Sequence, residues 1–222
     1  MPTTTYSRAG VIGTAAGVLG GLSAVALLLW PPQVPPGLVS YPFTTTGFLV
    51  AQAWFFVHHL GLVILLVALA RCGAVGAGRA PRVGAWVSVL GVVLLTGAEL
   101  FAMGFADWDN DTANAGALGS AYGVACTLVG LGTIAAGIGV VRAGVWSGWH
   151  AWTPLLIGIT QFLVLTPGMF GGFVMARLVI GLWMLTFAAL GWSMYAEARR
   201  AAIGPASSAD RPARARRAAG VL

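Results

Sequence analysis

The sequence has no lysine, only six acidic residues and only two cysteines. Charged residues make up 8% of its 222 residues and hydrophobic residues 58%, which excludes a water-soluble globular domain. The mean hydropathy of +0.87 is typical of a polytopic membrane protein. Because all twelve basic residues are arginines and Ala, Gly and Val are abundant, the composition favours a high-GC bacterium. We therefore expect a multi-pass protein of the bacterial inner membrane.

Few residues could hold a metal ion or a cofactor. His58 and His59 are neighbours on one predicted helix, so they cannot bind a haem iron from opposite sides. The alternating acids Asp107, Asp109 and Asp111 match the start of a calcium loop, but the sixth position is a threonine and the twelfth a leucine. The sequence predicts no metal site and no cofactor.

The two cysteines do not indicate a disulfide. Cys72 ends one apolar run and Cys126 lies inside another, so the two thiols are expected to be buried or interfacial.

Apolar runs long enough to cross a bilayer predict an all-α bundle of six transmembrane helices. The break between the last two rests on Pro167 and the three glycines of the segment 165–173, which favour a turn. Residues 1–198 form the predicted membrane domain, and 199–222 an Arg-rich tail that is unlikely to fold alone. The predicted helices lie at about 11–30, 48–70, 83–105, 117–141, 154–168 and 170–195.

The arginines predict the orientation of the bundle. In a six-helix arrangement eleven of the twelve fall on one side, and only Arg177 does not. The positive-inside rule then places both termini in the cytoplasm. The proline-rich connection 31–47 and the acidic connection 107–111 are expected to face outward.

One carboxylate, Glu99, interrupts an otherwise apolar helix. At a rise of about 1.5 Å per residue, Glu99 and Arg177 are both expected about 10 Å below the outer surface. Ionisable residues at such depth usually face the bundle interior and find partners. We therefore expect these two side chains to pair or to share a cavity. Gln52, Phe55 and His59 follow a helical stripe that could add to the same polar layer.

Aromatic residues are expected to surround this layer and to bind substrate together with Gln52, Phe55, His59 and Arg177. They are Phe101, Trp108 and Phe173.

Structural explanations exist for the same residues. A Glu and Arg pair between helices can fix packing without chemistry, and a membrane histidine often serves as an interhelical hydrogen-bond partner. Tryptophans near helix ends are common in the interfacial belt.

In size, helix count, buried acid and aromatic richness, the chain resembles bacterial integral-membrane terpene cyclases. Residues 109–112 also echo the Asp-x-Asp-Asp/Thr acid motif of soluble protonating cyclases. The resemblance implies an enzyme that protonates a prenyl chain to start its cyclisation, with aromatic faces stabilising the positive charge. The candidate catalytic acids are Glu99, Asp107, Asp109 and Asp111.

The alternative is a non-catalytic carrier or an accessory membrane subunit, whose pocket binds a small molecule or a partner helix. In both cases we expect a lipophilic small molecule and membrane lipids as partners and no nucleic acid. The sequence leaves oligomerisation open.

Overall fold

The structure, a computed structural model, describes residues 3–204 and contains six helices long and apolar enough to cross a membrane. The predicted all-α bundle and its count of six spans are therefore confirmed. The tail arginines at 211, 214, 216 and 217 lie outside the described residues. The helices are α1 (Thr3–Leu29), α2 (Thr45–Arg71), α3 (Arg79–Ala102), α4 (Ala113–Ala143), α5 (Gly148–Gly168) and α6 (Gly172–Ile203).

Local chemistry sets several of the helix ends. The hydroxyl oxygens of Thr44 and Thr112 accept hydrogen bonds from backbone N–H groups in the first turns of α2 and α4. Gly144 ends α4 in the left-handed conformation, at a φ of 63°. A short turn after Gly168 separates α5 from α6. The break predicted from Pro167 and its glycines is thus present.

Three helices are clearly longer than the sequence predicts. The first begins at Thr3 rather than at about 11. The fifth begins at Gly148 rather than at 154, because a 3₁₀ turn over Gly148–Trp152 precedes its α-helical part. The last continues to Ile203, well beyond the predicted end at 195.

α5 is irregular in its middle. Gln161–Leu165 form a π-helical turn, which Pro167 follows closely. Proline has no N–H to donate and its ring crowds the carbonyl four residues earlier, so the regular α-helical ladder is interrupted at this point. Turns of this kind often occur at functional sites.

The six helices form a ring. Each helix packs against the next in the chain, and α6 closes the ring against α1. Glycines allow the closest approaches: a Cβ at Gly17 would clash with the backbone of Ala188, and one at Gly132 with the backbone of Ser88. Backbones that pack this closely are typical of membrane helices, where small residues line the contacts.

The ring has two ends of opposite character. We call the end that carries Asp107, Asp109 and Asp111 the acidic end. The other, the arginine end, carries the start of α3 and the ends of α2, α4 and α6, with Arg71, Arg79 and their neighbours. The assignment of these ends to the two sides of the membrane stays a prediction.

Half of the bundle is filled with apolar side chains. In the half towards the arginine end, fully buried leucines of α2 meet valines of α4 and the α6 residues Phe187 and Leu190. Trp183 lies above them and donates a hydrogen bond from its ring nitrogen to the Ile157 carbonyl at 3.2 Å. This half is the core of the protein.

Two loops cover the acidic end. The connection from α1 to α2 runs beside the connection from α3 to α4, and Leu38 and Asp109 form an isolated antiparallel bridge. The Val39 nitrogen donates to the Trp108 carbonyl at 3.0 Å, and the Thr45 hydroxyl donates to Asp107 at 2.5 Å. Together they form a cap over the ring.

Candidate functional site

A cavity occupies the half of the bundle nearest the acidic end. Its volume is about 550 Å³, within the range of about 300–1,000 Å³ that is usual for sites that bind small molecules. All six helices line it, and Val39, Tyr41 and Phe43 of the cap close it from the end. Its floor includes Trp183 and Met184, above the packed core.

Glu99 lies in the wall of this cavity with 6% of its surface exposed. The Tyr122 hydroxyl donates a hydrogen bond to one carboxylate oxygen, Oε2, at 2.9 Å. The other oxygen, Oε1, lies 3.3 Å from Nδ1 of His59, whose ring is not aligned for a hydrogen bond. The carboxyl group is therefore held by α4 and faced by α2.

Arg177 lines the same cavity from α6. Among the described residues it forms no ion pair with Glu99, because no nitrogen of Arg177 lies within 4.0 Å of a Glu99 oxygen. Its guanidinium carbon is instead 5.1 Å from the centre of the Phe173 ring. The shared cavity expected from their matching depths is present, and the direct pair is not formed.

Unpaired polar atoms concentrate around this cavity. Within residues 3–204, six buried side-chain nitrogen or oxygen atoms have no hydrogen-bond partner, and five belong to cavity-lining residues. These five are Nδ1 and Nε2 of His58, Nδ1 of His59, Oε1 of Gln161 and Nε of Arg177. Leaving one such group unsatisfied costs about 1–3 kcal/mol. The residues that carry these five atoms all line one cavity, which makes this cavity the candidate site for a polar group.

The rest of the wall is apolar and rich in rings. The Phe55 ring stacks near His58, with centres 5.8 Å apart, and the His58 and His59 rings are 4.4 Å apart. Aromatic faces carry partial negative charge and attract cations. The lining aromatic residues are Tyr41, Phe43, Phe48, Phe55, Tyr122, Phe170 and Trp183.

The structure brings together part of the residue set selected from the sequence. Glu99 and the binding candidates Gln52, Phe55, His59 and Arg177 all line the cavity.

Three other candidates lie outside the cavity. Phe101 and Trp108 are 49% and 40% exposed, and the ring of each packs against Phe105. Phe173 packs against Tyr41, with ring centres 4.9 Å apart, and contacts Arg177 from behind. Sequence position predicted how far along the bundle these rings lie, but it could not show the direction in which they point.

The three aspartates selected as candidate acids are also outside the cavity. Asp107, Asp109 and Asp111 are exposed on the loop between α3 and α4, and none lines the cavity wall. Asp107 accepts the hydrogen bond from Thr45, which joins the two loops of the cap. The structure therefore separates these aspartates from Glu99.

Sequence reasoning missed three polar residues of the site. Tyr122, Gln161 and His58 were not selected as site residues, yet all three line the cavity. A tyrosine in a membrane helix is easily assigned to the interfacial belt. Neighbouring residues could have identified Tyr122 as a site residue. It lies between Gly119 and Gly123, which leave open space beside it.

Comparisons with models of known protein families, with curated proteins and with solved structures found no match. The chemistry of the cavity is therefore the basis for any statement about function. It combines an apolar, aromatic chamber with one carboxyl group, two imidazoles and one guanidinium. Such a chamber can bind an apolar chain and a polar group at once, and Glu99 can exchange a proton with what is bound there.

Proposed function

We propose that the protein binds a lipophilic small molecule with a polar group inside the membrane and acts on it as an enzyme by proton transfer at Glu99. The single observation that carries the proposal is that five unpaired buried polar atoms belong to residues that line one apolar cavity. A hydroxyl or similar group on the ligand would pair with one or more of these side chains once they turn towards the cavity, while its hydrocarbon part would contact the aromatic wall.

The reaction class that fits this wall best is acid-initiated cyclisation of a prenyl chain. Glu99 gives a proton to a terminal carbon–carbon double bond, and the next double bond attacks the cation, forming a ring bond. Loss of a proton from carbon to a base restores a neutral alkene, so the product is an isomer of the substrate. The ring faces of Phe55, Tyr122 and Trp183 would stabilise the intermediate cation.

A non-catalytic binding role, as in an accessory subunit, is the second candidate. It is favoured by the contacts that hold Glu99, since Tyr122 already donates to it and His59 faces it. A carrier that moves its ligand across the membrane is less well supported, because the packed core around Phe187 and Leu190 fills the path to the arginine end.

The enzyme proposal is tested by product analysis in cells that express the protein together with a prenyl precursor. Lipophilic extracts are compared by mass spectrometry for the wild-type protein and two matched variants, Glu99→Gln and Glu197→Gln. Glu197 is the other acid on a described helix, and it lies at the arginine end, away from the cavity. Its variant controls for removal of a carboxylate from the bundle.

We expect a cyclised isomer of the precursor that is lost in Glu99→Gln and retained in Glu197→Gln at equal protein level. No product from the wild-type protein, with the precursor retained on the purified protein at one molecule per chain, would support the binding role instead. If the wild-type protein yields no product and also retains no precursor, the proposal as a whole is contradicted.

A further inference from the structure

The cavity-lining residues that are exposed on the outer surface lie on one side of the bundle. Most cavity-lining residues are buried or half-buried, and the exposed ones belong to α4, to the end of α5 and to the turn that follows it. They are Gly119, Gly123 and Thr127 on α4, Thr166 on α5, and Met169 and Phe170 in the turn that follows α5. Residues that both line a cavity and reach the outer surface mark its opening, so the cavity opens between these two helices.

The glycines of α4 show how the opening arises. Gly116, Gly119, Gly123, Gly130 and Gly137 fall within about 60° of one another around the helix axis, on one face. On the half towards the arginine end this face packs against α5: a Cβ at Gly130 would lie 2.7 Å from the Gln161 side chain, and one at Gly137 would meet Leu155.

On the other half of the same face, the contact with α5 is lost. A Cβ at Gly116, Gly119 or Gly123 would meet no atom within 4 Å. The π-helical turn of α5 begins at Gln161, the residue that packs against Gly130. The two helices therefore separate at the level of this turn, towards the acidic end.

The opening lies at the depth of the lipid chains. At about 1.5 Å per residue, Gly119 and Thr127 are roughly 9 Å and 21 Å from the start of the 31-residue helix α4. A hydrocarbon core of about 30 Å centred on a helix of about 46 Å would begin roughly 8 Å from that start. The opening thus faces the hydrocarbon of one leaflet.

Within residues 3–204, the cap covers the acidic end of the cavity beside the turn that follows α5. Val39, Tyr41 and Phe43 of the cap line the cavity and are all half-buried. Backbone hydrogen bonds join this loop to its neighbour, including one from the Asn110 nitrogen to the Gly37 carbonyl at 2.8 Å. The packed core closes the opposite direction.

We infer that the gap between α4 and α5 is a lateral gate through which the ligand passes between the bilayer and the cavity. This inference rests on the proposed function, because it assumes that the cavity binds a lipophilic molecule. It also defines the ligand class further: the molecule is an amphiphile that is dissolved in the bilayer, and it enters sideways. Gly119 and Gly123 keep the gate open because they have no side chain.

The gate is tested by following ligand exchange in lipid nanodiscs. Deuterated geranylgeraniol, a prenyl alcohol, is bound first, unlabelled geranylgeraniol is added in excess, and the bound form is followed by native mass spectrometry. The variants are Gly119→Leu and Gly123→Leu, whose new side chains would fill the gap. The control is Gly97→Leu on α3, an exposed glycine with equally open surroundings that does not line the cavity.

We expect exchange to slow at least tenfold in the two α4 variants and to stay within twofold of wild type in the control. Unchanged exchange in both α4 variants, with ligand still bound, would overturn the gate while leaving the proposed function intact. Failure of the wild-type protein to bind the alcohol at all would instead contradict the proposed function.

A second measurement needs no substitution. A membrane-confined diazirine alcohol and a charged, water-soluble diazirine are each photolysed with the wild-type protein, and the adducts are mapped. The gate predicts adducts from the membrane-confined reagent on residues 119–127 and 166–170 and on the cavity wall. Adducts in the cavity from the charged reagent, reached through the cap, would contradict entry from the bilayer.

Discussion

The two halves of the bundle use similar helices for different purposes. Towards the arginine end, Leu62, Leu65, Leu69 and Phe187 are completely buried and fill the ring. Towards the acidic end, the same helices surround a cavity of about 550 Å³. Stability should therefore come mainly from the first half, and ligand binding from the second.

The polar residues differ in the same way. At the arginine end, His150 Nδ1 lies 2.7 Å from Glu197, and Glu197 is also 2.7 Å from Arg200, so the polar groups satisfy one another. At the cavity, both ring nitrogens of His58 lack a partner, as does Nε of Arg177. A paired histidine stabilises the fold through its ring nitrogens, whereas His58 gains no such stabilisation from its own.

Truncating a buried aromatic ring should give the largest change in the free energy of unfolding and the largest difference between the two halves. Phe187→Ala would leave a void in the packed half and should lower the free energy of unfolding by about 3–5 kcal/mol. Phe55→Ala only enlarges an existing cavity and should lower the free energy of unfolding by clearly less than Phe187→Ala does. Unfolding of both variants in the same detergent measures the difference, and equal losses would contradict the division into two halves.

Adding one methyl group tests the helix contacts. A Cβ at Gly91 would lie 2.6 Å from the Val129 nitrogen, so Gly91→Ala should destabilise the protein by about 1–3 kcal/mol. At Gly123 the new methyl meets open space, and Gly123→Ala should be neutral within about 0.5 kcal/mol. Thermal unfolding of the two alanine variants provides the comparison; a larger loss at Gly123 would show that α4 and α5 do not separate.

Replacing the paired His150 and the unpaired His58 should change the free energy of unfolding by smaller amounts and in different directions. His150→Leu leaves Glu197 without its imidazole partner and should cost about 1–2 kcal/mol. His58→Leu removes an unpaired group and should leave the free energy of unfolding unchanged or slightly raised, while weakening ligand binding. Parallel measurements of unfolding and of binding separate the two roles. A large loss of stability in His58→Leu would show that its ring has a structural partner.

The exposed aspartates should matter least. Asp109→Asn and Asp111→Asn alter side chains on the surface of the cap, so stability should change by less than about 0.5 kcal/mol. Product formation and ligand binding should also be unchanged, since neither residue lines the cavity. Loss of product in either variant, with normal ligand binding, would return these acids to the catalytic site.

The sequence contained most of the fold. Apolar runs separated by prolines, glycines and arginines predicted six spans, and the break after Pro167 was where the pattern placed it. The ends were less well predicted because helix propensity continues past the apolar run, as α6 does to Ile203. The 3₁₀ start and the π turn of α5 depend on contacts with other helices, which one sequence does not show.

The site was predictable in depth but not in direction. Counting residues from the helix ends placed Glu99 and Arg177 in one layer, and the structure has both in one cavity. Rotation around each helix axis depends on packing, so Phe101 and Trp108 were expected near the cavity although they point outward. The gap beside α4 and the place of Tyr122 in the cavity wall were not predicted. Both depend on glycines of α4, and the sequence does not show that the neighbouring helix separates from them.

The most direct test of the central claim compares two ligands that differ by one polar group. Native mass spectrometry measures binding of geranylgeraniol and of the hydrocarbon that lacks its hydroxyl, with wild-type protein in nanodiscs. We expect one alcohol molecule per chain, bound at least tenfold more tightly than the hydrocarbon, because the hydroxyl satisfies polar atoms that the hydrocarbon leaves unpaired. If the two ligands bind equally well, or if neither binds, the claim that the cavity is a site for a lipophilic molecule with a polar group is contradicted.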